Sequence, residues 1–68
     1  LNGRNSVTYY WASIEYGRER YVQVVKTKKG EIEAEAAAWD WGRRNLAPAV
    51  VNSAIVRYLG RSEPRVQY

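Results

Sequence analysis

Residues 7–27 read VTYYWASIEYGRERYVQVVKT, a segment dense in aromatic and β-branched residues. It holds Tyr9, Tyr10, Trp11, Tyr16 and Tyr21, five of the nine aromatic residues in the chain (three Trp and six Tyr). Val7 to Tyr16 is rich in aromatic and β-branched residues and reads as a strand; Tyr21 to Thr27 reads as its returning partner. Between them YGRER supplies a turn, with Gly17 free to take a positive φ that a side chain disfavours. Side chains alternate along a strand. One face of the first strand therefore carries Tyr10, Ala12, Ile14 and Tyr16, and the other carries Val7, Tyr9, Trp11, Ser13 and Glu15. The covered face is expected to join Tyr10, Ala12 and Ile14 to Val22 and Val24, leaving Tyr9, Trp11, Tyr21 and Val25 among Ser13, Gln23 and Thr27 on the other. A one-residue change in the turn would exchange the faces of the second strand. In either register both faces of the first strand carry large apolar groups.

Working outward, KTKKGE is a second turn signal, with Gly30 at the position needing an unusual backbone. The segment EIEAEAAAWDWGRRNL then predicts a helix over 35–45, with Glu31 to Ala34 either its first turn or the tail of a strand. Glu31, Glu33 and Glu35 suit the positive end of the helix dipole, and Arg43 and Arg44 the negative end. Ala34, Ala37, Ala38 and Trp41 fall on one helical face, with Trp39 and Arg43 roughly opposite; Gly42 weakens the helix near its end. Residues 48–60, PAVVNSAIVRYLG, fit two patterns. Pro48 at a first helical position and Gly60 as a stop fit a helix. The β-branched Val50, Val51, Ile55 and Val56 after the connection NLAP fit a strand, the preferred reading. The expected fold is α+β: a small antiparallel sheet in the order β-β-α-β, one Ala/Trp-rich helix packed on one face, and a last element that is a strand, with a second helix as the alternative. It forms a single domain over 7–60, between a flexible lead-in at 1–6 and an extended tail at 61–68.

Sixty-eight residues are near the lower limit for a self-sufficient core. With neither Cys nor His, the chain lacks a thiolate and an imidazole, the commonest nucleophile, general base and metal ligand among side chains titrating near neutrality. There is no Gly-rich phosphate loop, and Glu31, Glu33 and Glu35 have no metal-binding spacing. The expectation is a non-enzymatic protein with no catalytic residue, no metal and no cofactor. No apolar run reaches membrane-spanning length, and none resembles a signal peptide, so no membrane partner is expected. The lack of Cys fits a reducing cytoplasm. With no Met in the chain, the native start is expected to lie outside this sequence.

The net charge of +4 is segregated. Arg4, Arg18, Arg20, Lys26, Lys28 and Lys29 dominate the first 29 residues; Glu31, Glu33, Glu35 and Asp40 follow; Arg43, Arg44, Arg57, Arg61 and Arg65 dominate the rest. Basic groups beside aromatic rings suit RNA or DNA, through phosphate contacts and base stacking. Trp, Tyr and Arg equally suit a protein interface, and an apolar sheet face could also pack on its own copy in a homodimer. The expected partner-binding residues are Tyr9, Trp11, Tyr21, Trp39, Arg18, Arg20, Lys26, Lys28, Lys29 and Arg43.

Two resemblances bear on function. VVNSAIVRYLG resembles the second helix of ribbon-helix-helix DNA-binding proteins in its opening, but that family uses one strand where this chain has two. The order YYWASIEYGRERYVQVV, AEAAAWDWGRR and AVVNSAIVRYLG resembles very small phage-encoded proteins, including some anti-CRISPR inhibitors, across most of the chain and without an invariant motif. That resemblance implies a non-catalytic inhibitor, of phage or mobile-element type, that occludes a host nucleoprotein complex. Its basic residues would then touch a nucleic-acid path, or Glu31, Glu33, Glu35 and Asp40 would mimic phosphates. The alternative is a nucleic-acid-binding module built on the basic, aromatic hairpin.

Overall fold

A computed structural model describes residues 7–65. The lead-in at 1–6 and the last three residues of the tail lie outside the described residues. Two strands, β1 (Tyr10–Tyr16) and β2 (Tyr21–Thr27), are followed by helix α1 (Glu31–Asn45), a short helix α2 (Pro48–Asn52) and strand β3 (Ile55–Gly60). The sheet is antiparallel in the order β2-β1-β3, so the aromatic first strand is central and the last strand joins beside it. The α+β architecture is the one the sequence predicts.

The segment 48–60 combines both of its readings. Pro48, pre-set for a first helical position, opens α2, and the helix stops at Asn52; Ile55 to Gly60 then extend as β3. Glu31 to Ala34 form the first turn of α1, whose Glu31 and Glu33 at one end and Arg43 and Arg44 at the other complement its dipole. Gly30 caps the helix with φ 151° and ψ −179°, a backbone region open essentially to glycine alone, and its carbonyl accepts the Ala34 amide at 2.9 Å.

The hairpin register corrects the expected sheet faces. Four residues, Gly17 to Arg20, connect Tyr16 to its partner Tyr21, so Ala12 pairs with Val25 and Ile14 with Gln23. Cross-strand partners share a face. The helix side therefore holds Tyr10, Ala12, Ile14 and Tyr16 with Tyr21, Gln23, Val25 and Thr27, and not with Val22 and Val24. From β3 it takes Val56 and Tyr58, opposite Ile14 and Ala12. Trp39 is a second correction. It packs, with Trp41, against the buried cluster instead of pointing away from it.

The fully buried residues are Ala12, Ile14, Ala34 and Ala38, ringed by Tyr10, Val25, Trp39, Trp41, Leu46, Ala54, Val56 and Tyr58. Ala34, Ala38 and Gly42 recur every four residues and form the buried stripe of α1. Because that stripe is so small, the helix settles close to β1. A Cβ on Gly42 would stand 2.7 Å from Ile14 Cδ1. Gly42, read from the sequence as a weakness, is what admits Ile14 under the helix.

This contact predicts a change of sign. In the native background Gly42→Ala crowds the buried Ile14, and overpacking of this kind costs roughly 1–3 kcal/mol, enough to offset a helix-propensity gain of about 1 kcal/mol. In an Ile14→Val background the clashing methyl is gone, and Gly42→Ala is expected to stabilise. Urea denaturation of the four proteins in this double-mutant cycle checks it.

Candidate interaction surface

The sheet face away from α1 has no element of the described chain packed on it. β1 contributes Trp11, Ser13 and Glu15; β2 contributes Val22, Val24 and Lys26; β3 contributes Ile55 and Arg57, with Leu59 exposed at the irregularity where the register shifts beside Trp11. Val22 is 39% exposed, Ile55 47% and Leu59 38%, so these three outer-strand aliphatics of this face meet solvent. At the centre, Ser13 is only 7% exposed. It is the smallest side chain in the β1 row, so the middle of the face is low between Trp11 and Glu15.

The corner of this face farthest from the hairpin turn is built by Tyr9, Trp11 and Lys26. The two rings lie 6.3 Å apart and tilted by 58°. Trp11 and Lys26 are cross-strand partners, which brings the ammonium over both rings, 4.4 Å from the Tyr9 centroid and 5.2 Å from that of Trp11. This cation–π cluster shields the Tyr9 ring with a charge. Lys28 and Lys29 follow in the exposed turn, where the Lys29 amide donates to Thr27 Oγ1 at 3.3 Å.

The hairpin turn carries Arg18 and Arg20 at the opposite end of the sheet, a strand length of about 20 Å from the cluster. Arg20 adopts φ 59°, an unusual conformation for a residue with a side chain, and bridges Glu15 at 3.2 Å. Here Tyr21 lies on the helix side. Its ring centroid is 5.8 Å from that of Tyr16, which lies 5.7 Å from Trp41, so three aromatics form a row that ties the turn to α1. A cleft of about 520 Å³ separates this turn from α2 and the start of β3, lined by Glu15, Tyr16, Arg18, Arg20, Val50 and Ile55 among others. A second groove, about 670 Å³, runs between α1 and α2 and is lined by Trp39, Arg43, Leu46, Pro48, Val51 and Asn52.

The ten expected binding residues thus divide among three places. Tyr9, Trp11 and Lys26, with Lys28 and Lys29 beyond, flank the open face. Tyr21, Arg18 and Arg20 occupy the turn, and Trp39 and Arg43 the groove between the helices. Val22, Val24, Ile55, Arg57 and Leu59 were missed. Their signal was the alternation of apolar residues in β2 and β3, and it could be assigned to a face only once the register was known. Among the described residues, no group of three or more carboxylates is placed to hold a metal ion. Among the described residues, no helix is long and apolar enough to cross a membrane. No family model, curated protein or solved structure matches the chain.

One ionisable group in the turn is perturbed. The Tyr21 hydroxyl donates to Glu19 Oε1, and this bond chiefly, with some desolvation and the neighbouring Tyr16, raises the phenol above its ordinary value of 10.0. The protonated form is favoured in the folded state. Its stabilising contribution is present below pH 10 and is lost as pH rises through the raised value. NMR titration of ring-labelled tyrosine should find Tyr21 ionising above 10.0, and Glu19→Gln should bring it back toward that value.

Proposed function

We propose that this protein is a small non-catalytic binding module that acts by seating the open sheet face on another protein. The observation that carries this reading is the aliphatic character of the exposed row. Val22, Ile55 and Leu59 are the exposed large residues of that face; Val22 and Ile55 flank Glu15 across β1, and Val24 is the next residue of the same face along β2. Aliphatic side chains gain from burial against apolar surface and offer nothing to a nucleobase that needs a flat ring. The two rings that could stack bases, Tyr9 and Trp11, are tilted against each other beneath Lys26. Blocking a nucleoprotein complex, as the small phage inhibitors do, is one use of such a face, with the contact made to the complex's protein component.

A basic chain will still attract polyanions, and the strength of that attraction separates the two classes of partner. Fluorescence anisotropy against labelled single-stranded and duplex DNA and RNA, over a salt series, is expected to give only non-specific binding, with Kd of about 10⁻⁴–10⁻⁶ M at physiological salt. Trp11→Ala is expected to leave it unchanged, whereas Lys26, Lys28 and Lys29 changed together to Ala should weaken it and flatten its salt slope. Binding tighter than this range that is lost in Trp11→Ala would make the face a base-stacking platform and overturn the protein-docking reading.

A further inference from the structure

The charges around the open face specify the chemistry of what covers it. Lys26 stands on one outer strand beside Trp11, and Arg57 on the other beside Ser13. Neither is bridged by a carboxylate of the described chain, whose ion pairs are Arg20 with Glu15 and Arg44 with Asp40. Among the described residues, the acidic group on the face is Glu15, which Arg20 bridges. A second copy is a poor occupant. Two-fold packing sets the patch against itself, and a copy of this face offers Lys26 and Arg57 no carboxylate but the Arg20-bridged Glu15.

The dimensions of the face suit one helix. Three strands about 4.8 Å apart give a width close to the roughly 10 Å diameter of a helix, and the single helix α1 already covers the opposite face. Resting on the reading of this face as a protein-docking surface, we infer that its occupant is an acidic amphipathic helix of a partner protein. The apolar stripe of that helix lies along Trp11, Val22, Val24 and Ile55, and its Asp and Glu flanks meet Lys26 and Arg57. Docking converts a two-layer domain into a helix–sheet–helix sandwich.

The test is a selection from a displayed library of amphipathic helices about 20 residues long, long enough to be helical, with one fixed apolar stripe and flanks randomised equally between Glu and Lys. The full chain is the bait. Glu-flanked helices are expected to be enriched about tenfold over Lys-flanked ones. The preference should reverse on a Lys26→Glu/Arg57→Glu bait, and binding should be lost on Ile55→Asp and on Val22→Asp, each checked for native circular dichroism.

Enrichment of Lys flanks, no charge preference, a preference that survives charge reversal of the bait, or no binders at all would overturn the inference. So would a dimer in sedimentation equilibrium that Ile55→Asp dissociates, since a second copy would then own the face. If binders lack a charge preference yet still need Ile55 and Val22, the acidic chemistry fails while protein docking at this face stands. If the oligonucleotide measurements show tight, Trp11-dependent binding, both fail.

Discussion

The structure depends on how closely α1 approaches β1. The meeting surfaces are Ala34, Ala38 and Gly42 on the helix and Ala12 and Ile14 on the strand, and apart from Ile14 nothing there is larger than a methyl group. Small residues let the backbones come near each other, and Ile14 fills the remaining slot beneath Gly42. Burying one isoleucine contributes only about 1.5–3 kcal/mol, so the contact cannot hold the domain alone. It sets the distance at which the larger ring of Trp39, Trp41, Tyr58, Val25 and Val56 can close around it. A bulkier stripe would lift the helix and loosen every contact in that ring.

A close helix also fixes what stays uncovered. One helix screens one side of a three-stranded sheet, and at this chain length α2 is too short to screen the other. Half of the residues of the most apolar strand necessarily point to the second side. Trp11 and Tyr9 are sheltered there by each other and by Lys26, while the aliphatic residues of the outer strands are not. The exposed row is thus a consequence of the architecture, and the functional reading turns on its composition.

The separation of charge along the chain becomes a separation in space. Glu31, Glu33 and Glu35 lie in the N-terminal half of α1, whereas Arg43 and Arg44 lie at the helix end nearest the hairpin turn, since Trp41 packs on Tyr16 there. Lys26 and Arg57, distant in sequence, come to flank one face because β2 and β3 lie on either side of β1. The pairs Arg20–Glu15 and Arg44–Asp40 are solvent-exposed and contribute little to stability. The unbridged cations matter more for which partner is admitted.

By itself the sequence determined the elements governed by local physics: the hairpin from its aromatic and β-branched runs around Gly17, the helix from its alanines and terminal charges, and the placing of β3 beside β1 from a single crossover. It also determined that both faces of β1 would be apolar, which drew attention to Tyr9 and Trp11; Lys26 shares the face of Val22 and Val24, expected under the helix and found on the open side. The remainder came from strand pairing and packing. A four-residue turn pairs Tyr16 with Tyr21, and this parity moved Tyr21 and Val25 to the helix side and Val22 and Val24 to the open one. Alternation along a strand gives two sets of residues but not which set faces the helix, because that depends on pairing with a neighbour. For the same reason Gly42 looked like a flaw within its own helix, when its use lies in the space it leaves for Ile14.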